Sequence, residues 1–316
     1  MKVSIALATY NGSSFLREQL DSVLAQSFQD FELVIGDDCS TDDTPSVLQE
    51  DIAKDSRIQF FKNEKNLGFK KNFEKIISYC SGEFIAFCDQ DDIWTTNHLE
   101  TLLKNIGNHD CIGANALIID ENGISQNKTL LEYWPVHYMP HNAEELFIHE
   151  LYSNVIQGTA SMVRKSLIKD SLPIPKNVKY HDYWFALNAG LHNGCKYIPD
   201  VILHYRRHSK NVSAYQKFSI IQAIKDLWKI SKNRKNFYQD NINIIENLSL
   251  KEMSEEKRLL LNKALCFFQN LSDNKHRWSL VKHYIKNYNT ITFSRKKVWL
   301  LYTYRLLGLI IFGIKG

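Results

Sequence analysis

One feature constrains this chain more than any other: across its first two hundred residues, short apolar runs alternate with segments of helical period. Val3–Ala8, Phe31–Gly36, Ile58–Phe61, Phe84–Cys88 and Cys111–Ile119 have strand length and are flanked by polar or turn residues. Between them, Phe15–Gln26, Pro45–Ala53, Phe69–Tyr79 and His98–Ile106 read as helices. Thr41-Asp42-Asp43-Thr44 ahead of Pro45 supplies N-cap oxygens and a first-turn proline. Parallel strands need crossover connections, and helices are the usual ones. The pattern therefore predicts βαβ units and a mostly parallel sheet covered on both faces. Gln157–Arg164 and Lys196–Tyr205 predict two further strands, with a helix over His181–His192 between them.

After Tyr215 the style changes. Phe218–Phe237, Met253–Leu271 and His276–Tyr288 are helix-like, Lys-rich and poor in Gly and Pro. Residues 1–215 hold 20 Lys+Arg against 28 Asp+Glu, and residues 216–316 hold 19 against 7. An acidic front and a basic rear predict two parts with different partners, divided at 215. With 44% hydrophobic and 23% charged residues, a disordered or collagen-like chain is excluded. None of the six cysteines forms a C-x-x-C pair, which removes zinc ribbons and dithiol redox motifs. Met1-Lys2 leads directly into the first strand with no signal-peptide pattern, so the expected location is cytoplasmic, with reduced thiols.

Open parallel sheets bind ligands outside the carboxyl ends of their strands. Three such ends are polar here: Thr9-Tyr10-Asn11-Gly12, Asp37-Asp38-Cys39-Ser40-Thr41-Asp42-Asp43 and Asp89-Gln90-Asp91-Asp92. Capping and turn formation explain Thr41–Asp43. They leave Asp37 and Asp38, directly after a buried strand, in need of donors that a nucleotide base and ribose would supply. Three carboxylates within Asp89–Asp92 repel one another unless a cation neutralises them, and Mg2+ or Mn2+ suits oxygen ligands shared with substrate phosphates. His181-Asp182-Tyr183-Trp184 opens a helix; Asp182 either complements the helix dipole or, shielded by aromatics, serves as a general base. His204 to Asn211 gathers two arginines, two histidines and a lysine, suited to a diphosphate or to a solvated basic loop.

Taken in order, these segments resemble a family 2 glycosyltransferase of the GT-A fold, from Lys2 to Asn211. The matching pieces are Thr9-Tyr10-Asn11, Ser22-Val23-Leu24-Ala25-Gln26-Ser27-Phe28, the Asp37–Asp42 turn, Asn66-Leu67-Gly68, Ser81–Phe87 and the D-x-D motif Asp89–Asp91. Asp89–Trp94, His181–Trp184 and Tyr205–His208 are closest to the rhamnosyltransferase-like branch, and the Gln-x-x-Arg-Trp motif of processive synthases is missing. The resemblance implies a Rossmann-like mixed sheet flanked by helices and an inverting transfer from a dTDP- or UDP-sugar. The acceptor implied is a saccharide or lipid-linked saccharide of surface polysaccharide synthesis. It implies that Thr9, Asn11 and Asp38 hold the nucleotide, Lys71 (or Lys70) neutralises phosphate and Asp89 contacts ribose. Asp91 and His208 would serve the metal, and Asp182 would be the base.

Rival classes fare worse. No G-x-G or Gly-Lys-Ser/Thr occurs, which argues against a nicotinamide dehydrogenase and a P-loop kinase. A sugar-nucleotide nucleotidyltransferase would open with a Gly-rich loop where only Gly12 stands. The basic rear, with Trp228, Trp278 and Trp299, lacks any nucleic-acid-binding module, so no nucleic-acid partner is expected. Arg295-Lys296-Lys297 precedes an apolar run to Ile314 that is short for a bilayer and carries Arg305 at its middle. Two readings stay open for 295–316. It is either a helix on an anionic membrane surface, making the protein peripheral on the inner face of the cytoplasmic membrane, or a helix docked on its own core or in a homodimer.

Overall fold

The computed structural model describes residues 2–133, 140–152, 154–209, 211 and 234–273. The front follows the predicted alternation: β1 (Val3–Thr9), α1 (Ser13–Leu24), β2 (Phe31–Asp37), α2 (Thr44–Lys54), β3 (Ile58–Lys62), α3 (Phe69–Tyr79) and β4 (Phe84–Cys88). A two-residue β5 (Ile93–Trp94), α4 (His98–Ile106), β6 (Cys111–Ile119), β7 (Ser125–Thr129) and α5 (Leu130–Tyr133) come next. Then come α6 (Ala143–Tyr152), a 3-10 turn (Gly158–Ala160), β8 (Ser161–Arg164), α7 (Lys165–Ser171), α8 (His181–Leu191) and β9 (Cys195–Arg206). The helices α9 (Arg234–Ser249) and α10 (Glu255–Asp273) complete the described chain.

The strands form one mixed sheet in the order β3-β2-β1-β4-β8-β6-β9-β5, with β7 paired to β6. Its parallel part is β3-β2-β1-β4, whereas β8 runs antiparallel to both β4 and β6. A mostly parallel sheet thus describes the first half only. The predicted strand over 157–164 is also shorter than expected. Gly158 and Thr159 direct their N–H and hydroxyl at carboxylates of neighbouring elements instead of a ladder partner, and pairing begins at Ser161.

Both faces of the central strands are covered, which is why those strands read as continuous apolar runs. Every side chain of β4 is at most 3% exposed. One core lies under α1, α2 and α4, with Leu16, Leu20, Val23, Leu48, Leu99 and Leu102. The other lies under α3, α6 and α8 and continues without a break into Ile245, Leu248, Leu261 and Phe268 of α9 and α10. The boundary expected at 215 lies outside the described residues. So do Trp228, Trp278, Trp299 and the whole of 295–316.

Register brings the polar strand ends together. Thr9 pairs with Asp37, and Leu7 with Cys88, so the turns after β1, β2 and β4 leave the sheet side by side. β9 runs parallel to β6, and its end at Arg206 reaches the turn after β4.

Candidate active site

The first two turns are tied mainly to each other. Asn11, with φ 48°, sits in the left-handed region, and its amide oxygen accepts from Thr41 N at 2.9 Å and Thr41 Oγ1 at 3.3 Å. Asn11 N donates to Ser40 Oγ at 2.9 Å and Gly12 N to Thr44 Oγ1 at 2.9 Å. Thr9 Oγ1 donates to Asp37 Oδ1 at 3.1 Å, and Ser40 N to Asp37 Oδ2 at 2.9 Å. Asp38 accepts from Asn63 Nδ2 at 2.9 Å, Leu67 N at 2.8 Å and Gly68 N at 2.8 Å. The sequence argument that this pair needs a nucleotide to satisfy it is therefore corrected: neighbouring loops supply the donors, and three of roughly four acceptor sites on Asp38 are filled.

The turn after β4 is built differently. Gln90 bonds the backbone of Tyr10 in both directions, accepting from Tyr10 N at 2.8 Å and donating to Tyr10 O at 3.1 Å. A Cβ on Gly12 would lie 2.1 Å from the Gln90 amide oxygen, so a larger residue there would displace this amide from Tyr10. Asp92 turns inward, fully buried, and accepts from Thr159 Oγ1 at 2.7 Å and Arg206 N at 2.9 Å. Burial and the neighbouring Asp91 and Asp89 push its carboxyl well above the usual range. Asp91 faces His208, whose Nε2 lies 2.8 Å from Asp91 Oδ2, with Asn211 Nδ2 at 3.4 Å. No hydrogen bond reaches the Asp89 carboxylate among the described residues. Burial first, then the charges of Asp91 and Asp182, push it up to about 7.

Asp182 opens α8 on the other side of the site. Its Oδ2 accepts from Gly158 N at 2.9 Å and its Oδ1 from Tyr183 N at 2.7 Å. His181 is buried between Phe73, with centroids 4.1 Å apart, and Phe87, at 4.8 Å. Burial lowers its pKa against the opposing pull of Asp182, which leaves a neutral imidazole packed as an aromatic.

The basic segment after β9 divides. Arg206 is 1% exposed and structural: it donates to Asp91 O at 2.8 Å and Glu121 O at 3.1 Å, pairs with Glu18 and lies over the Phe15 ring. It is not free for a diphosphate, whereas His208 does reach the acidic turn. Lys70 donates to the carbonyls of Pro175, Lys176 and Val178, and Lys71 pairs with Glu74 on the first turn of α3. Neither contacts Asp89 or Asp91. The sequence reading missed Gly158 and Gln90 as site-builders; Gly158 lay in plain view as the glycine before the β8 strand, and Gln90 as the amide inside the acidic turn. A groove of about 740 Å³ lined by Lys2, Phe28, Glu83 and Phe84 opens at the far ends of β1 and β4, away from these groups.

Asp89, Asp91, His208 and Asp182 thus converge beyond the carboxyl ends of the strands, on the edge where such sheets bind ligands. A transferase of the GT-A type is built this way, and the comparisons agree. Residues 4–172 match the model of glycosyl transferase family 2, and the chain belongs to that family. It is a glycosyltransferase. A glycosyltransferase of Haemophilus influenzae is 26% identical over 93% of this chain and 93% of its own. The Escherichia coli UDP-Glc:alpha-D-GlcNAc-diphosphoundecaprenol beta-1,3-glucosyltransferase WfgD is 36% identical over 40% of this chain and 54% of its own. Among solved structures, S. aureus TarS 1–349 in complex with UDP-GlcNAc shares the fold, with TM-score 0.63 at 19% identity over 99% of this chain and 90% of that one. The mannosyltransferase PcManGT of Pyrobaculum calidifontis, in complex with GDP-Man and Mn2+, has TM-score 0.58 at 13% identity over 99% and 85%. No helix among the described residues is long and apolar enough to cross a membrane.

Proposed function

We propose that the protein is an inverting glycosyltransferase. It moves a sugar from a dTDP- or UDP-sugar to a saccharide or lipid-linked saccharide acceptor in surface polysaccharide synthesis. The observation that carries this reading is that the adjacent residues Gly158 and Thr159 tie Asp182 to the acidic turn. Gly158 N donates to Asp182 Oδ2 at 2.9 Å and Thr159 Oγ1 to Asp92 Oδ2 at 2.7 Å, and Asp91 of that turn is in contact with His208. WfgD, whose name gives a UDP-sugar donor and a lipid diphosphate acceptor, supports the donor and acceptor classes.

Asp91 and His208 fit a divalent cation: a carboxylate and an imidazole in contact, with side chains only 15% and 8% exposed. Among the described residues no three such side chains form a metal cage, so Mg2+ or Mn2+ here would take its other ligands from donor phosphates and water. The cation, when bound, offsets the charge that develops on the leaving diphosphate. Asp89 meets the ribose. Thr9, Asn11 and Asp38 belong to the nucleotide end, where their main work is to hold the β1 and β2 turns in shape, and Lys71 lies at its rim.

Asp182 is held by two backbone N–H groups, one on each oxygen, which leaves a lone pair on each for an acceptor hydroxyl. It takes that proton as the acceptor oxygen bonds to the anomeric carbon. The bond from that carbon to the diphosphate oxygen breaks on the opposite face, which inverts the configuration and releases the nucleoside diphosphate. His181, packed beneath it between Phe73 and Phe87, supports the base and takes no part in the proton transfer.

The test is a donor screen. Purified protein with Mn2+ is offered UDP- and dTDP-sugars and a lipid-diphosphate monosaccharide, and release of nucleoside diphosphate is followed with product anomeric configuration by NMR. Acceptor-dependent release with an inverted linkage is expected. Retention of configuration, or pyrophosphate release from a nucleoside triphosphate instead, would overturn the reading.

A further inference from the structure

Glu150, in the last turn of α6, is fully buried. Its Oε1 accepts from Val155 N at 3.1 Å and Ile156 N at 2.8 Å, and its Oε2 has no partner among the described residues. Leu146, Phe147 and Leu151 of the same helix fill the surrounding core, so packing alone calls for another aliphatic residue here. A carboxyl in their midst is costly unless its oxygen does something an alkyl group cannot. What it does is hold the chain: both bonds go to backbone N–H groups of the segment that leads from α6 to the active site.

Two residues beyond Ile156, Gly158 N donates to Asp182 Oδ2 at 2.9 Å. A Cβ on Gly158 would meet Asp182 Oδ2 at 3.5 Å and His181 Nε2 at 3.4 Å, ordinary contact distances, so it is the N–H bond that ties the segment to Asp182. A slip of this segment would move the N–H that orients Asp182 without touching Asp182 itself. Burial raises the Glu150 carboxyl well above the usual range, against its two N–H bonds and with a smaller contribution from Asp182.

We propose that Glu150 is a positioning residue for sugar transfer: by clamping Val155 and Ile156 it fixes the Gly158 N–H that aims the Asp182 carboxylate at the acceptor hydroxyl. The inference rests on the reading of Asp182 as the base. Glu150→Leu keeps the volume and deletes both bonds, whereas Glu150→Gln keeps an acceptor oxygen for them.

In the full chain, Glu150→Leu should lower kcat by about 10–100-fold with donor KM unchanged, the size usual for a lost supporting contact. Glu150→Gln should stay within about threefold of wild type. A folded Leu variant with wild-type kcat, or a Gln variant as impaired as Leu, would overturn the proposal. Should the Leu variant not fold, amide hydrogen exchange on the Gln variant decides: Gly158 protection and kcat must be kept or lost together, and either one changing alone contradicts the clamp. Asp182→Asn run in parallel separates the two claims. Inactive Asp182→Asn beside a fully active Glu150→Leu removes the clamp alone, and active Asp182→Asn removes both.

Discussion

Two acidic turns leave the strands on either side of β1, and they serve opposite ends. After β2, Asp37 and Asp38 accept from Thr9, Ser40, Asn63, Leu67 and Gly68, so the protein itself satisfies them. After β4, Asp92 is satisfied in the same way, but Asp89 accepts nothing among the described residues, and Asp91 meets a histidine that also ligates metals well. Both turns look alike as strings of aspartates. An acidic turn is a ligand site where the fold leaves its lone pairs unfilled, and a structural knot where loops fill them. The substitutions that follow separate the two, since one turn should fail in function and the other in stability.

The largest effect belongs to Asp182, the proposed base on the far side of the site from the unfilled turn. Asp182→Asn should cost 10²–10⁴ in acceptor-dependent turnover, the usual contribution of a positioned base, while donor binding measured by calorimetry stays near wild type. Turnover within a few-fold of wild type would move the base elsewhere, with Asp92 next in line.

Asp38→Ala tests the filled turn. It leaves the Leu67 N–H without its acceptor and takes one of two acceptors from Asn63 Nδ2 and Gly68 N, which keep Asn72 Oδ1 and Asn66 Oδ1. It should destabilise the protein by roughly 1–3 kcal/mol in urea unfolding. Unchanged stability together with lost nucleotide affinity would mean that Asp38 works as the sequence alone suggested, through the base, and would erase the contrast between the turns.

A smaller effect distinguishes two of the buried histidines, His98 and His181. His98 stacks on Trp94, and burial lowers its pKa to about 3, against a bond to the Ile202 carbonyl; His181 is lowered too, but Asp182 opposes the shift. His98 is therefore neutral when folded well below about pH 6.5, and it takes up a proton on unfolding there. The unfolded state then binds more protons, so stability falls as pH drops from 6.5 toward 3, at about 1.4 kcal/mol per pH unit for a fully shifted group. His98→Gln should flatten the slope of stability against pH in that window by close to this amount. An unchanged slope would mean that His98 protonates in place.

Much of this was legible in the sequence, and the exceptions have physical causes. The alternation of apolar runs fixed β1 to β4 and the helices between them to within a few residues, because strands buried on both faces announce themselves as unbroken apolar runs. β5 and β7 were not legible: two residues make too short a run, and Ser125–Thr129 carries no apolar face at all. The short helix α7 was hidden in the sequence behind the strand that precedes it. At the site, Asp89, Asp91, Asp182 and His208 were legible by motif, and the structure brings them together. The loop donors that meet Asp38 and the structural partners of Arg206 were not. Whether a carboxylate is filled depends on donors 25 to 30 positions away, such as Asn63 and Gly68, and spacing along the chain does not show them. Arg206 looked like a phosphate ligand until its partners Glu18 and Glu121 came into view.

The contrast between the turns, and with it the transfer centre, is tested most directly by one titration. UDP is titrated by calorimetry into wild type, Asp91→Asn and Asp38→Asn, each with Mn2+ and with EDTA. Metal-dependent affinity in wild type should vanish in folded Asp91→Asn and persist in Asp38→Asn once its lower stability is allowed for. Metal-dependent binding that survives in Asp91→Asn, or that only Asp38→Asn abolishes, would contradict the assignment of the two turns.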